Sequence, residues 1–395
     1  MPELDVAEQV FDIALHPAED IIACGTIDGR VTIHRYAPAG HTQLVESKHH
    51  SGSVRSVAYT ADGSVLFTGS ADKSVAALDP TGAVKWHRKG AHDAAVNRIF
   101  PVGDSVHLVA SGDDAGGVKL WDARAAATAK PVMAVAVNTD FISDMACDRA
   151  AAFLLATSGD ATLSVFDLRA NKLAGRSDDQ EDELLSVQVL KGGRKVACGT
   201  QNGVIALWSW GTWGDCSDRF PGHPHSVDAL LKIDEETLLT GSSDGLIRVV
   251  SVQPNKFLGV LGDHGGFPIE RLALSRSGGG SCGAAVARSW IASVTHDSKV
   301  RFWDASVLND DDDDDDEEDE EADNESGGDK DGESKGDGGG DGDSDRDGDS
   351  DDSDDDDSDE SDAPPRGKRK GGGQGGRLGG RKALATDAEK FFSDL

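Results

Sequence analysis

The chain has 395 residues, enough for two or three average domains or one large repeat fold, and a formal net charge of −33. The charge is segregated: residues 310–362 carry 32 acids against 3 bases, residues 1–309 carry 37 against 28, and residues 363–395 carry 3 against 8. No run of 18 apolar residues is present to span a membrane, the opening Met1-Pro2-Glu3-Leu4-Asp5 lacks the basic and apolar parts of a secretory leader, and a mildly acidic body is poorly suited to grip duplex nucleic acid.

The first three hundred residues repeat one unit: a small polar residue, Gly, one or two residues, Asp or Asn, a turn, then an alternating apolar stretch. In chain order the copies start at Cys24-Gly25, Thr68-Gly69, Ser111-Gly112, Thr157-Ser158-Gly159, Cys198-Gly199, Thr240-Gly241 and Ser293-Val294. They close at His34, Leu78, Trp121, Phe166, Trp208, Val250 and Trp303, with intervals of 44, 43, 45, 42, 42 and 53. A period near 43 with Trp-Asp endings predicts four-stranded propeller blades, seven of them. The long last interval contains Ser277-Gly278-Gly279-Gly280-Ser281-Cys282-Gly283, which reads as an insertion between two strands. Val54–Tyr59 alternates with period two, and Asp-Gly at 28–29, 62–63 and 244–245 suits tight hairpins.

The expected fold is an all-β, seven-bladed β-propeller over residues 3–308. Glu3-Leu4-Asp5-Val6 would complete the last blade's outer strand and close the ring. An acidic tract, 309–362, is too charged to bury apolar surface and reads as disordered. A basic, Gly-rich targeting segment (363–385) and a terminal linear motif or short helix (386–395) follow.

These units resemble the WD-repeat family. The resemblance implies a structural network in each blade: an Asp of the tight turn bonds a His that precedes the blade, supported by a Ser or Thr and a Trp. His264, Ser293, Asp297 and Trp303 match in the last blade. His50, Thr68 and Asp72 match in the second, and His223, Thr240 and Asp244 in the sixth, with Leu78 and Val250 in place of Trp. The third blade departs, because Ala115 stands at the Asp position and Asp114 one place early, which leaves its network open despite Trp121. Asp113–Arg124, Lys195–Thr200, Ser217–Phe220, Ser243–Arg248 and the Thr386–Leu395 end narrow the resemblance to the WD repeat-containing protein 55 family, a nucleolar family.

Trp121-Asp122-Ala123-Arg124 resembles the box by which some propellers dock the damaged-DNA-binding adaptor of cullin-4 ubiquitin ligases, and Phe166-Asp167-Leu168-Arg169 is a degenerate second copy. The plain alternative is a solvated Arg at a blade edge. Loops entering each blade line the usual peptide-binding face, but the sequence does not rank Asp93, Asn138, Asp144, Glu183 and Glu270 as inward-pointing. His49-His50, His87, His92 and His223-Pro224-His225 invite a metal reading, yet most of them sit where the repeat places a structural His. The calcium-loop match at Asp343–Asp349 lacks the closing Glu and flanking helices. The five cysteines (Cys24, Cys147, Cys198, Cys216, Cys282) are scattered and read as buried thiols of a reducing compartment. No phosphate loop or nucleophile elbow is present, so no catalytic residue, cofactor or metal is expected.

In the tail, Ser326, Ser334, Ser344 and Ser353 each precede an acid by three residues and are candidate phosphosites. Arg366, Lys368, Arg369, Lys370, Arg381 and Lys382 read as a nuclear or nucleolar address, without excluding the cytoplasm. Phe391, Phe392 and Leu395 form an apolar end suited to docking. The expected function is a monomeric, non-enzymatic nuclear and nucleolar scaffold. As the resemblance implies, it would support ribosomal RNA synthesis and processing and ribosome biogenesis through protein–protein contacts, including pre-ribosomal particles. The alternatives are a cullin-4 substrate receptor and an acidic-tail chaperone for histones or ribosomal proteins.

Overall fold

The computed structural model describes residues 2–148, 150–275 and 290–308. The glycine-rich insertion, Cys282 and the three tail segments, with their candidate phosphosites, address and terminal motif, lie outside the described residues. Among those described, twenty-eight strands form seven four-stranded antiparallel sheets, with one 3₁₀ turn at Ala305–Leu308. Six sheets are meanders laid down in chain order, the first being Val10–Leu15, Ile21–Thr26, Arg30–Arg35 and Thr42–Lys48. The seventh joins Arg271–Leu274, Trp290–Val294 and Lys299–Asp304 to the N-terminal strand Leu4–Asp5. Leu4 pairs with Val300 and Asp5 with Lys299. Glu3 reinforces the seam through Lys299 at 2.8 Å and Arg301 at 3.0 Å. The predicted closing strand is therefore shorter than Glu3–Val6; Val6 continues only by a backbone bond to Ser298.

Within a blade the middle strands are the most deeply buried and the outer strand the least. Leu66–Ser70 is buried at every residue, whereas the outer strand Lys172–Arg176 alternates exposed and half-buried. The apolar side chains do not form one core but seven, each between two consecutive sheets; Val65, Phe67 and Trp86 of blade two, for example, meet Val96, Ile99 and Trp121 of blade three. The residue closing each repeat faces the preceding blade, as Leu78 does at the first interface, Phe166 at the third and Trp208 at the fourth. Any large apolar group fills that place, which is why Leu78 and Val250 replace Trp without loss of packing.

The repeat glycine is where one blade meets the next. A Cβ on Gly112 would lie 2.6 Å from Ile142, and one on Gly69 would lie 2.6 Å from Ile99. Real Cβ contacts do not come this close, so the position demands Gly for its size. Gly25 and Gly241 meet Val54 and Ile269 in the same way.

The blade networks differ from the expected pattern. In blade two, His50 Nδ1 lies 3.3 Å from Asp72 and 2.8 Å from Ser74, and Nε2 lies 2.8 Å from Thr68. Blade three, whose network the sequence left open, has a complete one. Asp113, two places before Ala115, lies 2.7 Å from His92 Nδ1; His92 Nε2 is 2.6 Å from Ser111, to which Trp121 Nε1 also donates at 2.8 Å. Asp113 also accepts from the Ala115 and Gly117 N–H groups, doing the turn's work as well. In blades six and seven neither histidine bonds its Asp, although each keeps its hydroxyl partner, His223 with Thr240 at 2.8 Å and His264 with Ser293 at 2.7 Å. Asp244 turns instead to Arg248 at 2.6 Å, leaving His223 Nδ1 buried without a partner. Asp297 accepts from the Lys299 N–H, and His264 Nδ1 meets Arg301. An arginine on the neighbouring strand thus takes the place of the His–Asp link in both blades.

Burial pushes His49 down to about 3 and His223 and His264 down to about 4; His50, Arg248 and Arg301 respectively add to the effect. In the unfolded chain these rings take a proton near pH 6.5. Between pH 6.5 and about 4 the unfolded chain therefore binds protons that the native protein refuses, so stability holds above pH 7 and falls as pH drops through this window. Calorimetric melting midpoints should decline steadily from pH 6.5 to 4, and His223→Gln should make that decline shallower.

Candidate functional site at the channel mouth

Six of the seven innermost strands carry the same irregularity. In blades one to six the pairing slips by one residue, between Val10 and Asp12, Val54 and Ser56, Val96 and Arg98, Ile142 and Asp144, Leu184 and Ser186, and Val227 and Ala229. A bulge re-aims the extra side chain. Here the extra residues are Phe11, Arg55, Asn97, Ser143, Leu185 and Asp228, and all six line one cavity of about 310 Å³, joined by Glu270 and Arg271 of blade seven. Seven blades thus deliver eight side chains, apolar, polar, acidic and basic, to one mouth, with Ser53, Phe141 and His296 on its rim.

Just inside the mouth the ring is cross-braced by charge. Arg98 Nε donates to Asp144 at 2.8 Å and Nη1 to Asp12 at 3.3 Å, spanning blades one, three and four. Asp12 also accepts from Ser56 Oγ and the Val57 N–H at 2.9 Å, and Asp144 from the Val187 N–H at 3.1 Å. Burial opposes the Arg98 charge, but Asp144 and Asp12 outweigh it and raise its pKa. At the mouth, Arg55 holds Asp114 at 2.7 Å and His296 holds Glu270 at 2.8 Å. Asp228 accepts from Ser226 Oγ at 2.9 Å. Burial, reinforced by the Glu270 charge, pushes the Asp228 carboxyl up to about 6, against the pull of Ser226 and Arg271.

Of the five acids and amides left unranked by the sequence, Glu270 lines the mouth and Asp144 is a brace within the channel. Asn138 is buried in blade four, 3.0 Å from Thr162 and accepting from Ser164 at 3.0 Å. Asp93 and Glu183 are exposed loop residues whose carbonyls accept from Lys73 Nζ and the Gln201 N–H. Phe11, Arg55, Leu185 and Asp228 were missed, because a bulge shifts the alternation by one and hides which side faces in.

The Trp-Asp-x-Arg box lies at the opposite face, where Asp122 pairs with Leu108. Trp121 is buried. Asp122 accepts from the Arg124 backbone N–H, Nε at 3.0 Å and Nη2 at 2.7 Å, fixing a guanidinium whose side chain is 62% exposed. In the second copy Phe166 is fully buried, and Asp167 accepts from the Arg169 and Ala170 backbone N–H groups. The channel's other mouth, walled by Phe100, Met145, Cys147 and Val189, opens on this same side. Cys24 and Cys198 are buried and Cys147 and Cys216 half-buried, all with free thiols. Among the described residues no group of three His, Cys, Asp or Glu could hold a metal, and the rings of His49, His50 and His87 cluster around Thr68 and Ser74 hydroxyls.

The brace gives a sharp expectation. Arg98→Ala strands two buried carboxylates and should cost about 3–5 kcal/mol in urea unfolding, the range for breaking a buried pair from one side.

A family model described as WDR55 matches residues 1–308. A WD repeat-containing protein 55 of Arabidopsis thaliana is 42% identical over 306 residues, covering 76% of this chain and 82% of its own length. The WD repeat-containing protein JIP5 of Coprinopsis cinerea is 40% identical over 316 residues, covering 77% and 74%. A WD repeat-containing protein 55 of Homo sapiens is 38% identical over 299 residues, covering 75% and 74%. With the seven four-stranded blades and a match that spans all of them, the chain belongs to the WDR55 family of WD-repeat proteins.

Proposed function

We propose that this protein is a non-enzymatic scaffold of the nucleus and nucleolus that supports ribosomal RNA synthesis or processing by holding partner proteins on its propeller. The observation that carries the reading is the mouth itself: eight apolar, polar and charged side chains presented at one rigid opening make a surface for recognition, braced from within by Arg98. Membership of the WDR55 family and the basic residues at 366–382 support the cellular setting. Deleting residues 363–395 should disperse the protein from nucleoli under the microscope, and affinity purification of the full chain from nuclease-treated nuclear extract should recover pre-ribosomal proteins. Unchanged nucleolar residence or recovery of no such protein would overturn it.

The fixed, exposed Arg124 favours a second reading, docking to the adaptor of a cullin-4 ligase. A planar guanidinium held in place by Asp122 loses little freedom when it meets a carbonyl or carboxylate. Arg124→Ala should reduce recovery of the adaptor in a pull-down by roughly tenfold, the scale of one charge-assisted hydrogen bond; equal recovery from the two chains would refute it.

A further inference from the structure

The mouth is not electrically balanced. Its carboxyls are Asp12, Asp114, Asp144, Asp228 and Glu270, and its cations are Arg55, Arg98 and Arg271, with His296 beside Glu270. Arg55 is taken by Asp114, and Arg98 by Asp12 and Asp144; Arg271 Nε lies 3.8 Å from Asp12. The surplus falls on the side of blades six and seven, where the single charge of Arg271 serves both Asp12 and Asp228. There Asp228 makes no ion pair among the described residues, and Glu270 pairs with the imidazole of His296. Across the cavity stand Phe11, Phe141 and Leu185, and the loop entering blade seven carries Phe267, 57% exposed. The opposite mouth has no such surplus, since Lys232 pairs with Glu235 at 2.8 Å.

We infer that this mouth seats the cationic side chain of a basic peptide, its charge between Asp228 and Glu270 and its aliphatic stem against Phe11, Phe141 and Leu185. The inference deepens the scaffold reading and rests on it. Long cationic side chains bury their stems on apolar surface while the head seeks a carboxylate. Asp228 is already desolvated and held by Ser226, so little ordering opposes binding there. At about 310 Å³ the cavity is at the small end of ligand sites, large enough for one side chain and too small for a folded partner.

The test uses a fluorescein-labelled peptide with one central arginine in an alanine–leucine sequence, titrated by anisotropy into the full chain at pH 7.5. The acidic tract at 310–362 attracts such a probe by itself, so the readout is the difference between the wild type and Asp228→Asn with Glu270→Gln, which keeps the tract. The double variant should bind at least about tenfold more weakly with an unchanged melting midpoint. Should it unfold, Glu270→Gln alone supplies the comparison, because Glu270 is at the rim. The wild type should also lose affinity from pH 7.5 to 5.5 as Asp228 takes a proton, and replacing arginine by citrulline should abolish the difference. Equal affinities for wild type and variant would overturn the inference. If that happens while Phe141→Ala still loses the pre-ribosomal proteins from nuclear extract, the scaffold reading survives. If the probe discriminates but the extract yields no such proteins, the scaffold reading fails and the cation site stands.

Discussion

At five of the seven blade junctions a glycine in one blade approaches a branched apolar residue in the next, and the packing of the ring turns on that contact. Gly25 meets Val54, Gly69 meets Ile99, Gly112 meets Ile142 and Gly241 meets Ile269, each too close for a Cβ. This spacing seals the interface cores, and it brings each innermost strand to the channel at a fixed depth. The bulge in that strand then decides which residue looks into the mouth. Packing at the seam and presentation at the site are consequences of one geometry.

Charge does the complementary work. Sheets arranged around an axis leave their innermost edges facing one another, where apolar side chains cannot fill the gap completely. Arg98 spans that gap, tying strands 86 residues apart in sequence to one another through Asp12 and Asp144. A buried pair of this kind contributes more to a unique arrangement than to net stability, and here the arrangement it specifies is the ring itself. The mouth outside it, with Asp228 and Glu270 left over, is where the protein has charge to offer a partner.

The blade networks show how loosely the repeat signature determines the bonds behind it. Blade three looked defective by alignment, yet Asp113 reaches both the turn amides and His92 because its neighbour Gly117 leaves room beside it. Blades six and seven looked intact, yet Arg248 takes the Asp244 carboxylate from His223, and in blade seven Arg301 meets His264 itself while Asp297 accepts from the Lys299 N–H. A carboxylate prefers a permanently charged guanidinium to a ring that burial keeps neutral.

The period near 43, the glycine at its fixed place and the closing apolar residue were local patterns, so the sequence by itself determined an all-β ring of seven blades and an N-terminal closing strand. It also showed, by charge alone, that the acidity belongs to residues 310–362 and not to the propeller. The tertiary structure alone decided which residues meet at the channel. The bulge moves the alternation by one residue, and Asp12, Arg98 and Asp144, or Asp228 and Glu270, become neighbours only when the ring is closed. Such juxtapositions arise from the sum of seven blade rotations, a quantity that no single segment of the chain contains.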